Sequence, residues 1–205
     1  MNYFGDYHVH TRFCDGKDSP AAMAKAAHGL GLSCLGFSGH AHTAFDESWC
    51  MSREGTNAYI AAVNALKKEY RGRLDILLGT ELDYFSDVPS PDYDFTIGSV
   101  HYLKVGEVYL PVDESAEILR SIAEKYFGGS FLKLAESYFA LVEDVIRKTG
   151  CTVVGHFDLV TKFNEGQKMF PETGEYLERS KSPMVLLEVP VPFEVKEEDI
   201  IRRDA

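Results

Sequence analysis

Two histidines separated by a single residue lie close to the N-terminus, in the segment DYHVH at residues 6–10. Because side chains alternate along a strand, His8 and His10 would lie on the same face and could bind one metal ion. The alternative is a pair of partly buried histidines that hydrogen-bond to neighbouring groups. The H-x-H pattern alone does not separate these two interpretations.

Four further segments place a histidine or a glutamate near the end of an apolar run. These residues are His40 in FSGH, Glu81 in GTELD, His101 in GSVH and His156 in GHFD. The apolar runs alternate with helical patterns, which is typical of parallel strands joined by helical crossovers. Since the C-terminal ends of barrel strands converge on one face, we expect these side chains to meet His8 and His10 there. This convergence favours a metal site over ordinary buried histidines.

The number of candidate ligands predicts more than one metal ion. Six nitrogen or oxygen donors, with Asp15 as a seventh, exceed the four ligands of a single zinc ion. We therefore expect two or three divalent metal ions, with Glu81 as the bridging carboxylate. Imidazole and carboxylate ligands accept Zn, Fe or Mn, so the pattern does not select the metal. Such a cluster suits phosphoryl chemistry, although spacing alone does not separate phosphoester from amide hydrolysis.

The hydrophobic pattern predicts the elements that would position these residues. Strands are expected at 7–9, 34–40, 74–82, 95–101, 152–159 and 184–189. A first helix would begin at Ser19-Pro20 and bury Met23, Ala26, Ala27 and Leu30. A second would bury Tyr59, Val63, Leu66 and Tyr70, and residues 115–149 would form two helices broken at Gly128-Gly129. This order predicts an α/β fold in a single domain over residues 1–205.

Composition and charge limit the classes of function. The chain has 205 residues, 45% of them hydrophobic and 26% charged, with a formal net charge of −11. No basic run is present, which disfavours nucleic-acid binding. Four widely spaced cysteines indicate reduced thiols, and no stretch approaches the roughly 18 apolar residues of a membrane span. With no leader pattern at the N-terminus, we expect a cytoplasmic protein without a membrane segment.

Five segments carry most of the candidate ligands: DYHVHT, FSGHAH, GTELDY, DYDFTIGSVHYL and VVGHFDLVTKFNE. Together, over residues 3–189, they resemble the PHP family of metal-dependent phosphoesterases, and within it the histidinol-phosphate phosphatases. The resemblance implies a distorted TIM-like (β/α)7 barrel with three metal ions and a small phosphorylated substrate. It also implies hydrolysis of L-histidinol phosphate to L-histidinol and phosphate. A PHP phosphatase or phosphodiesterase with another substrate and a non-catalytic metal-binding remnant are the alternatives.

The resemblance also distributes the predicted ligands over three metal ions. The first ion takes His8 and His10, the second His101 and His156, the third Asp15 and His40, and Glu81 bridges the first two.

Two residues are weaker candidates for catalysis. Asp158 could protonate the leaving alkoxide or orient His156, and its alternative role is a helix N-cap. His42 could contact the phosphate, whereas the alternative is a histidine in a solvent-facing loop.

Three residues are candidates for substrate binding only. Asp83 could bind a cationic part of the substrate, or it could cap the end of a strand. Arg12 and Lys162 could contact the phosphate, although most such residues are solvated. Cys14, next to the expected metals, is interpreted as a thiol without a role.

The chain departs from the family pattern after His156. Family members carry a final strand with a D-x-H motif, and none follows His156 here. The barrel is therefore expected to be incomplete at the C-terminus, with a weakened third metal site and an open edge. A truncation or frame shift near residue 189, a natural short form, and substitution by Asp199 or Asp204 are the competing explanations. Because an open edge invites pairing with another chain, a compensating homodimer is a further hypothesis.

Overall fold

The computed structural model describes residues 5–86, 92–164 and 169. The predicted strand at 184–189 and the candidates Asp199 and Asp204 lie outside the described residues. The chain divides into two compact units, the first comprising residues 1–102 and 141–155 and the second residues 103–140 and 156–205. The single domain expected over residues 1–205 stays a prediction.

Helices and strands alternate along the chain as the hydrophobic pattern indicates. The strands are β1 (Gly5–Val9), β2 (Cys34–Phe37), β3 (Asp75–Asp83), β4 (Phe95–Ser99), β5 (Tyr102–Val105), β6 (Val108–Pro111) and β7 (Val153–Val154). The α-helices are α1 (Pro20–Gly29), α2 (Arg53–Glu69), α3 (Ala116–Phe127) and α4 (Phe131–Thr149), and a 3₁₀ helix covers Leu159–Thr161. No helix in these described ranges is both long and apolar enough to cross a bilayer.

The first unit is built on a five-stranded sheet in the order β1-β2-β3-β4-β7, and every pairing is parallel. Strand order therefore follows chain order, and the C-terminal ends of all five strands lie at one edge. The α/β fold with a parallel sheet is confirmed. Strand β2 ends at Phe37, three residues earlier than predicted, although His40 keeps one parallel bridge to Glu81.

Helix α2 confirms its predicted buried face. Tyr59 and Val63 are fully buried, and Leu66 and Tyr70 nearly so. The Ser52 side chain caps the helix by accepting a hydrogen bond from Gly55 N. The hydroxyl of Tyr59 donates to the carbonyl of Gly79 at 2.8 Å, which ties the helix to β3.

Helix α1 confirms the predicted Ser19 cap but not the predicted face. The side chain of Ser19 accepts a hydrogen bond from Ala22 N at 3.2 Å. The buried residues are Pro20, Ala24 and Ala27, whereas Ala26 is exposed and Leu30 is 79% exposed. Leu30 is the C-cap residue and lies beyond the last turn that packs on the core. The repeat of apolar residues in the sequence therefore continues one turn past the buried part of the helix.

The second unit contains α3 and a hairpin of β5 and β6 that the hydrophobic pattern does not predict. The hairpin turns at Gly106-Glu107, where Gly106 has φ +59°. Its strands have only four residues each, which is too short for a clear alternation of apolar and polar residues. The break predicted between α3 and α4 is confirmed, since Gly128 ends α3 in the left-handed conformation.

The strand predicted over residues 152–159 is much shorter in the structure. Only Val153–Val154 pair with β4 as strand residues, and on either side Thr152 N donates to Thr96 O and Gly155 N to Gly98 O, each at 3.0 Å. The chain then turns, because Leu159 N bonds to His156 O and Thr161 N to Asp158 O. Residues 156–159 are therefore turn and 3₁₀ helix rather than strand.

Candidate metal centre

Five predicted ligands of the first unit lie together at the C-terminal edge of its sheet. His8 lies in β1 and His10 directly after it; Glu81 lies in β3, and His40 and His101 follow β2 and β4. The rings of His8 and His10 stack at 5.1 Å, as the H-x-H spacing predicts. Those of His10 and His40 meet edge to face at 4.3 Å. The parallel sheet is what brings these distant positions together.

Glu81 lies at the centre of this cluster and is 1% exposed. Its Oε2 atom is 3.1 Å from His8 Nε2, 3.2 Å from His10 Nε2 and 3.1 Å from His40 Nδ1. A carboxylate removed from water requires compensating charge or hydrogen bonds. Protons on the three imidazoles, or a bound metal ion, could supply the positive charge that compensates the Glu81 carboxylate.

The other oxygen of Glu81 has a different environment. Oε1 accepts a hydrogen bond from Ser99 Oγ at 2.6 Å and lies 3.5 Å from His101 Nε2. Ser99 thus fixes the rotation of the carboxylate, so that each oxygen faces its own imidazoles. This is the geometry that a bridging carboxylate needs.

His40 provides an independent test of whether these residues fit a metal ion. Its Nδ1 atom is buried and makes no hydrogen bond, although Glu81 Oε2 is close. A buried polar atom without a partner is costly, so a missing ligand is a natural explanation. Donor atoms of His10, His40 and Glu81 lie within 4.8 Å of one another. Imidazole and carboxylate donors at this separation suit a divalent cation such as zinc.

Asp15 lies on the other side of His10. Its Oδ1 is 2.9 Å from His10 Nδ1, and its Oδ2 is 3.6 Å from His40 Nε2. The two ring nitrogens of His10 therefore face different carboxylates: Nδ1 faces Asp15 and Nε2 faces Glu81. Donor atoms of His10, Cys14 and Asp15 form a second group within 4.8 Å.

The electrostatics of the cluster follow from burial and these contacts. Burial acts to lower the pKa of His10, but hydrogen bonds to Asp15, Cys14 and Glu81 outweigh it and raise the pKa above its ordinary value. Burial would raise the pKa of Asp15, and His10 and His40 instead hold it well below its usual range. Burial lowers the pKa of His40. Without a metal, a proton on His10 therefore neutralises part of the carboxylate charge, and a bound cation would replace it.

Asp83 has a structural role at the edge of the cluster. It is 2% exposed; Oδ2 accepts from His101 N at 2.8 Å and lies 3.3 Å from His101 Nδ1, while Oδ1 accepts from Phe85 N at 2.8 Å. Both oxygens are used within the protein. These bonds match the alternative of a cap at the strand end. They do not test a contact with the substrate, so binding of a cationic part of the substrate by Asp83 stays a prediction.

The remaining candidates of the first unit are His42, whose side chain is mostly buried, and Arg12. His42 Nε2 is 2.8 Å from Glu47 Oε1. Arg12 is exposed, and its backbone N bonds to Asp18 O at 2.8 Å. Neither arrangement tests a contact with substrate, so both roles stay predictions.

Three candidates belong to the second unit. His156 accepts a hydrogen bond from the Tyr138 hydroxyl through its backbone oxygen at 3.3 Å. Asp158 occupies the N-cap position of the 3₁₀ helix, but its side chain makes no capping bond. Lys162 Nζ donates to Asp113 O at 3.0 Å and lies 3.6 Å from its carboxylate. Their predicted roles as metal ligand, proton donor and phosphate contact stay predictions.

Sequence reasoning missed two residues that support the cluster. Ser99 lies two positions before His101 and so shares its side of the strand, a spacing that could have identified it. Trp49 packs edge to face on His40 at 4.5 Å and lies 5.6 Å from the ring of His101. Trp49 lies in a loop without a recognisable motif, so no pattern in the sequence indicates that it contacts the cluster.

The PHP domain family matches residues 6–189 of this chain. The chain belongs to the PHP domain family. The resemblance carried by the five histidine- and carboxylate-bearing segments is therefore confirmed.

Two curated proteins are similar to this chain in sequence. A Deinococcus radiodurans protein named "Probable histidinol-phosphatase" is 34% identical over 169 residues, which cover 77% of this chain and 62% of the relative. A Bacillus subtilis histidinol-phosphatase is 30% identical over 190 residues, covering 81% of this chain and 69% of the relative. This chain thus spans less than two thirds of the Deinococcus protein.

Two crystal structures share the fold of this PHP domain. The hisK protein of Listeria monocytogenes has a TM-score of 0.68 at 24% identity, covering 79% of this chain and 70% of that one. The histidinol phosphate phosphatase of Lactococcus lactis, complexed with zinc, L-histidinol and phosphate, has a TM-score of 0.58 at 21% identity, covering 78% and 60%. At these identities the likeness concerns the fold.

Proposed function

We propose that this PHP domain hydrolyses L-histidinol phosphate to L-histidinol and phosphate with two or three divalent metal ions, in histidine biosynthesis. The observation that carries the proposal is the buried carboxylate of Glu81, with imidazole nitrogens of His8, His10 and His40 within 3.2 Å of one of its oxygens. The names of two relatives support the substrate, and the zinc, histidinol and phosphate bound by the Lactococcus protein support the class of metal and ligand.

Seven residues are the proposed metal ligands: His8, His10, Asp15, His40, Glu81, His101 and His156. Bound divalent ions would activate water and neutralise charge on the phosphoryl oxygens. Residues outside the ligand set would hold the ligands in position. Ser99 holds the bridging carboxylate and Asp83 holds His101, so the donors need little rearrangement when the metals bind.

The residues proposed to act on the substrate lie outside this ligand set. Asp158 would give a proton to the leaving alkoxide of histidinol or orient His156. His42, Arg12 and Lys162 would contact the phosphate, and Lys162 would have to leave Asp113 to do so.

The first experiment measures phosphate release from L-histidinol phosphate by metal-stripped protein, before and after Mn²⁺ or Zn²⁺ is added back. We expect turnover only with metal. The variant Glu81→Gln should lose both turnover and tight metal binding. Glu69→Gln, at the exposed end of α2, is the matched control and should behave like the unmodified protein.

Other results would redirect the proposal. Turnover of a different phosphoester, with none of L-histidinol phosphate, would indicate a PHP enzyme with another substrate. A folded, metal-loaded protein without turnover on any phosphoester would indicate a non-catalytic metal-binding domain.

Location and assembly are part of the same proposal. The four cysteines are free, as expected in a reducing compartment such as the cytoplasm. A homodimer would cover an open sheet edge. A single monomer peak in analytical ultracentrifugation would exclude that dimer.

A further inference from the structure

Cys14 lies in the loop that follows β1, beside the metal-binding cluster. Its Sγ atom lies within 4.8 Å of donor atoms of both His10 and Asp15. The side chain is half-buried, and the thiol contacts the carbonyl of Thr11 at 3.4 Å. A Cβ atom built on Gly39 would be 3.3 Å from this sulfur, so the thiol packs against the backbone next to His40.

The donor atoms of this group are near enough to share an ion after side-chain movement. Zinc binds sulfur at about 2.3 Å and nitrogen or oxygen at about 2.0–2.2 Å in tetrahedral geometry, so two of its ligand atoms lie roughly 3.5 Å apart. The donor atoms of Cys14, Asp15 and His10 lie within 4.8 Å of one another, and rotation of these side chains would bring them to that distance. The group also contains the three donor types that zinc uses in proteins.

His40 adds a further candidate donor beside this group. Its side chain is more than nine-tenths buried, and its Nε2 lies 3.6 Å from Asp15 Oδ2. The other ring nitrogen, Nδ1, faces Glu81 Oε2 at 3.1 Å. His40 therefore borders the Cys14 group through Asp15.

We propose that Cys14 is a thiolate ligand of the metal ion held by Asp15. This deepens the proposed function, on whose metal cluster it rests, by naming a soft donor in that cluster. On binding, the S–H bond of Cys14 breaks, its proton passes to solvent, and the sulfur lone pair forms the bond to the metal, with no change of oxidation state. A thiolate selects zinc, cobalt or iron over manganese and magnesium, which prefer oxygen ligands.

Cobalt substitution of the 205-residue chain tests this assignment without relying on activity. Metal-stripped protein is titrated with Co²⁺ while the near-ultraviolet spectrum is followed for a thiolate-to-cobalt charge-transfer band. The band should appear in the unmodified protein and in Cys34→Ser, whose thiol is also half-buried but lies on β2 outside the group. Cys14→Ser should lose the band, and its affinity for Zn²⁺ should fall by about tenfold or more.

A second measurement uses the unmodified protein, so a folding defect in the variant cannot decide the outcome. Alkylation of each cysteine by iodoacetamide is followed by mass spectrometry with and without Zn²⁺. Zinc should slow the labelling of Cys14 by roughly tenfold or more, since a ligated thiolate is no longer free to react, and should leave Cys34 nearly unchanged.

Several results would overturn the inference. These are cobalt binding without the band, a band that persists in Cys14→Ser, no cobalt binding, or equal labelling of Cys14 with and without zinc. Turnover of L-histidinol phosphate without the band would leave the proposed function standing and remove Cys14 from the ligands. The band without turnover would keep Cys14 as a ligand and reject the substrate.

Discussion

Asp83 holds His101 from the side opposite Glu81. Its Oδ2 receives the backbone N–H of His101 and lies 3.3 Å from His101 Nδ1, whereas Nε2 of the same ring faces Glu81. A carboxylate behind an imidazole places the proton on the nearer nitrogen and leaves the other available to a metal. The ring is thus oriented before any ion binds.

Replacement of Asp83 by asparagine should weaken metal binding without unfolding the protein. The amide oxygen can still accept from the backbone of His101, but it no longer carries the charge that makes the imidazole a stronger ligand. Loss of such a partner lowers metal affinity by about 10- to 100-fold. Competition with a chromophoric chelator measures the affinity. Asp75→Asn, at the exposed start of β3, is the control, and equal affinity in both variants would contradict the role.

Asp46 predicts a pH dependence of folding stability. Its carboxylate accepts hydrogen bonds from Tyr102 OH at 2.8 Å and Ser48 Oγ at 2.6 Å. Burial alone would raise the pKa of Asp46, but these bonds outweigh it and lower the pKa. A carboxyl group with a lowered folded-state pKa contributes stability above its unfolded pKa of about 3.9, and this contribution is lost as the pH falls through the folded value.

Thermal unfolding of the unmodified protein and Asp46→Asn across the acidic range tests this sign. The difference in melting temperature should be constant above roughly pH 5 and should shrink as the pH falls below about 4, where Asp46 takes up a proton in the unfolded chain before it does so in the folded protein. A difference that does not change with pH would show that the charge of Asp46 is unimportant.

At the scale of elements, the close approach of β7 to β4 depends on Gly155. A Cβ atom at this position would lie 2.4 Å from Ser99 Oγ and 2.8 Å from Ile97 Cγ2. The Ser99 hydroxyl is the group that fixes Glu81. The tight packing between these two strands therefore lies directly against the hydroxyl that bonds to Glu81.

The substitution Gly155→Ala should destabilise the fold and disturb Glu81 together. Overpacking of this kind costs about 1–3 kcal/mol, and we expect weaker metal binding as Ser99 rotates away. Urea unfolding and a metal titration measure the two effects. Gly29→Ala is the control, because a Cβ there meets nothing within 4 Å, and a Gly155 variant that behaves like it would contradict this packing.

The elements predicted correctly from the sequence are those for which a single strong local pattern determines the secondary structure. The apolar period of α2 and the glycine pair between α3 and α4 are local features, and the structure follows them. The buried face of α1, the hairpin at Gly106 and the short β7 depend instead on tertiary packing, which no local pattern records.

The cluster was predictable for the same reason as the sheet. Parallel strands end at a common edge, so His8, Glu81 and His101 had to converge once the strands were recognised. The hydrogen bonds of Asp83 were not predictable, because no local pattern records which backbone groups a carboxylate at a strand end will accept from. Its oxygens accept from the backbone N–H groups of Phe85 and His101.

At the scale of the whole molecule, metal binding should raise thermal stability. The cluster concentrates carboxylate charge in a chain that already has a net charge of −11, and a cation bound only by the folded state stabilises it by mass action. At a free metal concentration of 100 times Kd the gain is about 2.7 kcal/mol, or about 5–10 °C for a protein of this size. Scanning calorimetry with zinc and with a chelator measures the shift. Glu81→Gln should show a much smaller shift, and an equal one would place the metal elsewhere.

The agreement of strand order with chain order has a consequence for protein synthesis. Strands β2, β3 and β4 each pair with the strand made just before them, and the donors from His8 to His101 all lie in the first 101 residues. During synthesis, the donors from His8 to His101 and the four strands that position them are therefore all made before the second half of the chain.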